Sequence, residues 1–129
     1  MAQIKIYALA TTISQHRTGL SEAIHAALVN ILNYPVEKKF QRFIQLAPED
    51  FLFPDDRSPQ YTIIEISMFE GRSTISKKAF IQQLFVNIEQ QCGIVPQDIE
   101  ITMFETPRHH WGIRGQCGDE LSLNYKVNI

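Results

Sequence analysis

Few side chains in this chain carry usable chemistry, and they lie far apart in sequence. Arg72, within Glu70-Gly71-Arg72-Ser73, presents a planar fork suited to a carboxylate at a point where a strand gives way to a helix amino terminus. Lys38 supplies a second positive charge for an anionic ligand, and Arg114 stands in a loop between Gly112 and Gly115 of the kind that often carries function. At the start, Ala2 follows Met1, and its small side chain permits methionine removal. The freed primary amine has a reference pKa of about 7.7 to 8.0, which an apolar pocket or nearby cations lower. In its neutral form it takes a proton from a carbon next to a carbonyl, or attacks that carbonyl to form an imine. Each residue also has a plainer role: Ala2 as the start of a buried strand, Arg72 in a structural salt bridge, Lys38 as a solvated edge residue, Arg114 in solvent.

Other groups carry less. His109 and His110 are adjacent, so their rings do not converge on one ion, and no third ligand is evident; no metal is expected. Cys117, in Gly-Gln-Cys-Gly-Asp-Glu, has no base fixed beside it, and His25 lies by an apolar helical stripe that favours packing. Phosphate-cradling glycine patterns, zinc spacings and hydrolase serine elbows are missing from the sequence, and no cofactor is expected.

The elements that must position these groups read as a duplication. Ile4, Ile6 and Ala8 alternate with Lys5 and Tyr7, giving a strand over 2–9. Leu20, Ala23, Ile24, Ala27, Leu28, Ile31 and Leu32 form one helical stripe, with Ser14 as its cap, Gly19 weakening its first turns by about 1 kcal/mol, and Pro35 beyond its end. A second strand spans 39–46. The order then repeats: a strand over 61–69, a helix after Ser73 with the stripe Ile81, Leu84, Phe85, Ile88 and Cys92, a stop at Gly93 and Pro96, and a strand over 99–105. The two repeats occupy about 2–48 and 60–107 of a single domain, 1–129, separated by a proline-rich loop. The alternating Leu121-Ser-Leu-Asn-Tyr-Lys-Val-Asn-Ile129 is a candidate fifth strand or tail. Two consecutive β-α-β units predict an α/β (α+β) fold, a four-stranded sheet with two helices on one face. The opposite face is left uncovered, so apolar side chains there require other copies of the chain.

Composition sets the limits. The chain has 129 residues, 44% hydrophobic content and a formal net charge of −2, enough to fill one core and no electrostatic case for nucleic acid or an anionic membrane. The start is too short and too alternating for a signal peptide and no stretch spans a bilayer, so a cytoplasmic location with reduced Cys92 and Cys117 is expected.

The paired units, the segment Ser21-Glu-Ala-Ile-His-Ala-Ala-Leu-Val-Asn-Ile-Leu-Asn-Tyr-Pro-Val-Glu-Lys-Lys-Phe-Gln41, the phrase Glu70-Gly-Arg-Ser-Thr-Ile-Ser-Lys-Lys-Ala-Phe80, the run from Cys92 to Pro107 and Trp111 just beyond resemble the tautomerase superfamily. The similarity is to its longer members related to malonate semialdehyde decarboxylase and covers nearly the whole chain. It implies a homotrimer around a barrel-like core, with small oxo-acids bound near the amino terminus. It also implies catalysis by an amino-terminal proline, where this chain has Ala2. Arg72 matches an arginine that binds and polarises a carboxylated substrate, and Trp111 matches a tryptophan able to wall the pocket, although core packing suits that residue as well. Glu70 stands where the decarboxylase branch has another arginine, and Lys38, or Glu37 if the register slips by one, where it has an acid. A decarboxylase is therefore less expected than a tautomerase or isomerase.

The expected function is binding of a small oxo-acid or enol-acid, with weak proton transfer through the Ala2 amine and Arg72, and with Lys38, Trp111 and Arg114 as substrate-binding residues. The alternative is a non-catalytic trimeric relative, binding a metabolite or a protein, that has lost the catalytic proline.

Overall fold

The structure, a computed structural model, describes residues 2–129. Strand β1 (Ala2–Leu9) runs directly into helix α1 (Ala10–Leu32), which returns the chain to β2 (Gln41–Leu46); β3 (Thr62–Phe69), α2 (Thr74–Cys92) and β4 (Ile99–Thr106) repeat the path. The sheet order is β2-β1-β3-β4. Each unit pairs its own strands in parallel, β1 with β2 and β3 with β4, and the units join antiparallel through β1 and β3. A short hairpin, β5 (Gly112–Ile113) with β6 (Gln116–Cys117), follows β4.

The two-residue period of the strands decides what lies on each face. At the central join, Ala2, Ile4 and Ile6 pair with Met68, Ile66 and Ile64, all of them buried. These side chains face α1 and α2, which pack against one another over the sheet and bury Leu20, Ala23, Ile24, Ala27, Leu28, Phe80, Leu84 and Ile88. Each fully buried aliphatic or aromatic side chain contributes about 1.5 to 3 kcal/mol relative to an exposed one. The other face is more mixed than an uncovered sheet face needing apolar burial would be. Gln3 opposes Ser67, Lys5 opposes Glu65 with 3.9 Å between charges, and Tyr7 opposes Ile63. Only Phe104 among the large apolar groups of that face is strongly exposed.

Several elements depart from the sequence expectations. Helix α1 begins at Ala10, not near Ser14; no side chain caps it, Ile13 is already buried, and Thr12 Oγ1 donates to the Pro59 carbonyl at 2.8 Å. Gly19 lies inside continuous helix, and a Cβ there would sit 2.9 Å from Cys92 Sγ, so the glycine allows the two helices to approach. In α2 the buried residue is Phe80, with Ile81 only partly covered, a shift of one position around the helix. Strand β2 starts at Gln41 and β3 at Thr62, later than expected, whereas β4 extends to Thr106.

Residues 121–129 form no strand. Their alternation is real, since Leu121 and Val127 are buried while Ser122, Asn124, Lys126 and Asn128 are exposed, but it reflects side-chain packing on the chain's own surface. Ile129 O accepts from Ser73 Oγ at 3.2 Å and from Ser76 Oγ at 2.9 Å, drawing the segment across the start of α2. Gly71, at φ 133°, leaves the space that Asn128 occupies.

Candidate active site

A narrow cleft opens at the amino end of β1, with about 390 Å³ of space when the open solvent at its mouth is counted. Three parts of the chain build it around Ala2. The first is the segment after α1. Asn33 ends that helix in the left-handed conformation at φ 58°, as helix-terminal asparagines do, and turns Tyr34 inward to 3% exposure. His25 Nε2 lies 2.6 Å from the Val36 carbonyl, and the Lys38 amide donates to Pro35 O at 3.0 Å, so the turn that presents Lys38 is held at both ends. Phe40 completes this side.

The second part is the β5–β6 hairpin, whose two central residues, Arg114 at φ 50° and Gly115 at φ 82°, have the positive φ values of a type I′ turn. An arginine rarely adopts this backbone, and here it brings Arg114 to the cleft. The third part is the run Leu121–Tyr125, which forms a wall. Arg108 fixes its beginning, donating from Nη2 to Leu121 O at 3.0 Å and to Gly118 O at 3.1 Å.

The charge balance of the cleft is one-sided. Lys38 and Arg114 line it, no acidic side chain does, and among the described residues neither cation has an ion-pair partner. Such a site favours an anion small enough to enter it.

Arg72 lies behind this lining. Its guanidinium is buried, with Nη1 donating to Phe69 O at 3.0 Å and Nη2 donating to the Tyr34 hydroxyl at 3.0 Å, and it stacks 5.0 Å from the Tyr34 ring centroid. Tyr125 packs on Tyr34 with ring centroids 5.0 Å apart, and the two phenols share a hydrogen bond. Burial raises the Tyr34 pKa far above the ordinary phenol value, so Tyr34 stays protonated.

The structure therefore brings Ala2, Lys38 and Arg114 together and leaves two of the sequence-selected residues off the lining. Arg72 reaches the cleft only through Tyr34, while Trp111 packs edge-on against Phe69 and donates from Nε1 to Thr106 Oγ1 at 2.7 Å. Tyr34, Phe40 and Tyr125 were not singled out in the sequence. The available signal was the Asn-Tyr-Pro ending of α1, where a left-handed cap must turn the next side chain back into the fold. Met1, whose removal frees the Ala2 amine, lies outside the described residues. His109 and His110 lie edge to face with each other on an exposed turn.

A family model described as tautomerase enzyme matches residues 38–114, more than half of the chain. The chain belongs to that family. Among its curated relatives, this tautomerase-family chain is 32% identical to 2-hydroxymuconate tautomerase of Pseudomonas putida over 57 residues, covering 44% of this chain and 90% of the relative. Its fold is that of malonate semialdehyde decarboxylase, with a TM-score of 0.79 at 23% identity over 88% of this chain and 92% of the other. It is also that of an asymmetric fused 4-OT trimer, with a TM-score of 0.78 at 20% identity over 91% and 96%. The duplicated β-α-β layout of this tautomerase-family chain is thus a shared architecture. Among its described residues no helix is long and apolar enough to cross a membrane.

Proposed function

We propose that this chain binds a small oxo-acid or enol-acid in the cleft at the start of β1 and moves a proton on it through the Ala2 amine. Lys38 and Arg114 hold the carboxylate, and the amine, exposed once Met1 is removed, takes a proton from the carbon next to the carbonyl and returns it elsewhere on the ligand. A primary amine lacks the ring that gives proline its basicity and fixed geometry, so turnover is slow. Arg72 contributes from behind the lining by holding Tyr34, and Trp111 supports Phe69 without touching the ligand.

The observation that carries this reading is the convergence of Ala2, Lys38 and Arg114 on one cleft that has no acidic side chain. The 2-hydroxymuconate tautomerase relative supports the choice of an enol-acid, and the fused 4-OT trimer supports assembly as a homotrimer around a barrel-like core. The test is a paired assay of wild type and Ala2→Pro on a panel of enol-acids, with intact mass establishing the processed terminus. Turnover by wild type that disappears when the terminal amine is acetylated is the expected result. Turnover by the proline variant alone assigns the cleft to binding without catalysis, and silence from both removes the proton-transfer reading.

A further inference from the structure

We propose that Tyr34 is the group that hydrogen-bonds the ligand oxygen on which negative charge develops, with Arg72 as its positioning residue. This rests on the oxo-acid reading above and extends it to a residue with no part in that reading's proton transfer. Removing a proton from carbon leaves an electron pair that moves into the carbonyl and accumulates on its oxygen, while the Ala2 amine keeps the proton. A donor held close to that oxygen lowers the barrier.

Tyr34 meets the requirements in three ways. It lines the same cleft as Ala2, Lys38 and Arg114, so a ligand whose carboxylate lies on the cations presents its next oxygen within the same small space. Its hydroxyl oxygen accepts from Arg72 Nη2 at 3.0 Å while the guanidinium stacks on its ring, which draws electron density from the phenol and strengthens it as a donor. It is 3% exposed, so water competes little for its hydrogen. Arg72 is itself buried, its Nε has no hydrogen-bond partner, and no carboxylate pairs with it among the described residues. Its positive charge is therefore directed at the Tyr34 and Tyr125 phenols rather than neutralised by an acid. The Tyr34 hydroxyl interacts with Tyr125, and an entering ligand oxygen takes that place. Tyr34 remains neutral throughout, donating a hydrogen bond and transferring no proton.

The test compares two ligands by NMR titration of the full chain: oxalate, a planar mimic of an enolate bearing a carboxylate, and propionate, which offers a carboxylate and no second oxygen. In Tyr34→Phe, oxalate affinity is expected to fall about tenfold, the loss of a hydrogen bond to a charged group, while propionate affinity stays within about twofold. In wild type labelled at the tyrosine ring carbons, the Tyr34 Cζ signal shifts with oxalate and not with propionate, a measurement that does not depend on the variant folding. Equal losses for both ligands in Tyr34→Phe, an unchanged oxalate affinity, or an unmoved Tyr34 signal each overturns the assignment while leaving the oxo-acid reading in place. A wild-type protein that binds neither ligand removes both.

Discussion

The two β-α-β units share a path and differ in what fills the end of each. In the first, β1 begins at Ala2 beside an open cleft; in the second, β3 begins at Thr62, wholly buried, with Oγ1 bonded to Gln60 O at 2.9 Å. Both helices end in a left-handed residue, Asn33 at φ 58° and Gly93 at φ 70°. The next side chain is Tyr34 in one unit and Ile94, 1% exposed, in the other. Beyond the following proline, the first unit presents Lys38, which has no ion-pair partner among the described residues. In the second, buried Asp98 accepts from Ser58 N at 2.8 Å and from Ser58 Oγ at 2.5 Å. Phe51, Phe53 and Tyr61 then form a cluster of rings there, with Phe51 stacked on Tyr61 and Phe53 edge-on to Phe51 and tilted against Tyr61. A duplicated scaffold thus keeps one end open for a ligand, while the other end contributes packing and satisfied hydrogen bonds.

That contrast fails most visibly if the open end tolerates loss of its chemistry. Acetylating the Ala2 amine is expected to abolish wild-type turnover on an enol-acid while leaving the denaturant midpoint unchanged; persistence of turnover would place the base elsewhere. Removing both cations, Lys38→Ala with Arg114→Ala, should lower oxalate affinity by roughly 100- to 10,000-fold, given roughly 1.5 to 3 kcal/mol for each charge-assisted hydrogen bond. Lys5→Ala, on the sheet face, should leave that affinity unchanged.

The closed end should answer in stability instead of binding. Ile94→Ala is expected to cost about 2 to 5 kcal/mol in urea unfolding, and Asp98→Ala about 1 to 3 kcal/mol through the stranded Ser58 donors, with oxalate affinity preserved in both. A fall in affinity from either would mean the two ends are coupled.

Alkaline pH offers a finer probe. Burial and the hydrogen bond to Glu100 raise the Tyr61 pKa to about 12 from its ordinary 10. Between those values the unfolded chain releases this proton before the folded one, so folding stability declines as pH rises from about 10 towards 12. Tyr61→Phe should flatten that decline in pH-dependent denaturant midpoints, although other buried phenols, Tyr34 first, retain part of it. The smallest effect is expected at the helix crossing. Gly19→Ala gains about 1 kcal/mol of helix propensity, which the contact with Cys92 Sγ offsets, so the gain should emerge only alongside Cys92→Ala.

Much of the scaffold was legible from side-chain periodicity. Ile4, Ile6 and Ala8 specify a strand with one buried face, and Gly93 with Pro96 specifies a helix stop, because each depends on neighbours only a few residues away. Phe80 was missed because the buried stripe of α2 is set by where α1 lies, which its own sequence does not state. Ser14 was misjudged for a related reason: no loop separates β1 from α1, and a buried Ile13 continues the core into the first helical turn.

The sequence by itself determined two β-α-β units, the membership of Ala2 in a leading strand, and the supply of Lys38, Arg72 and Arg114 as cations. Only the tertiary structure decided which of those cations share a space. Lys38 and Arg114 are 76 positions apart and meet because a turn and a hairpin converge on β1, whereas Arg72 turns inward to Tyr34 because that phenol and the Phe69 carbonyl accept from its two terminal nitrogens. Side-chain identity is local, but burial and hydrogen-bond satisfaction are settled across the whole fold.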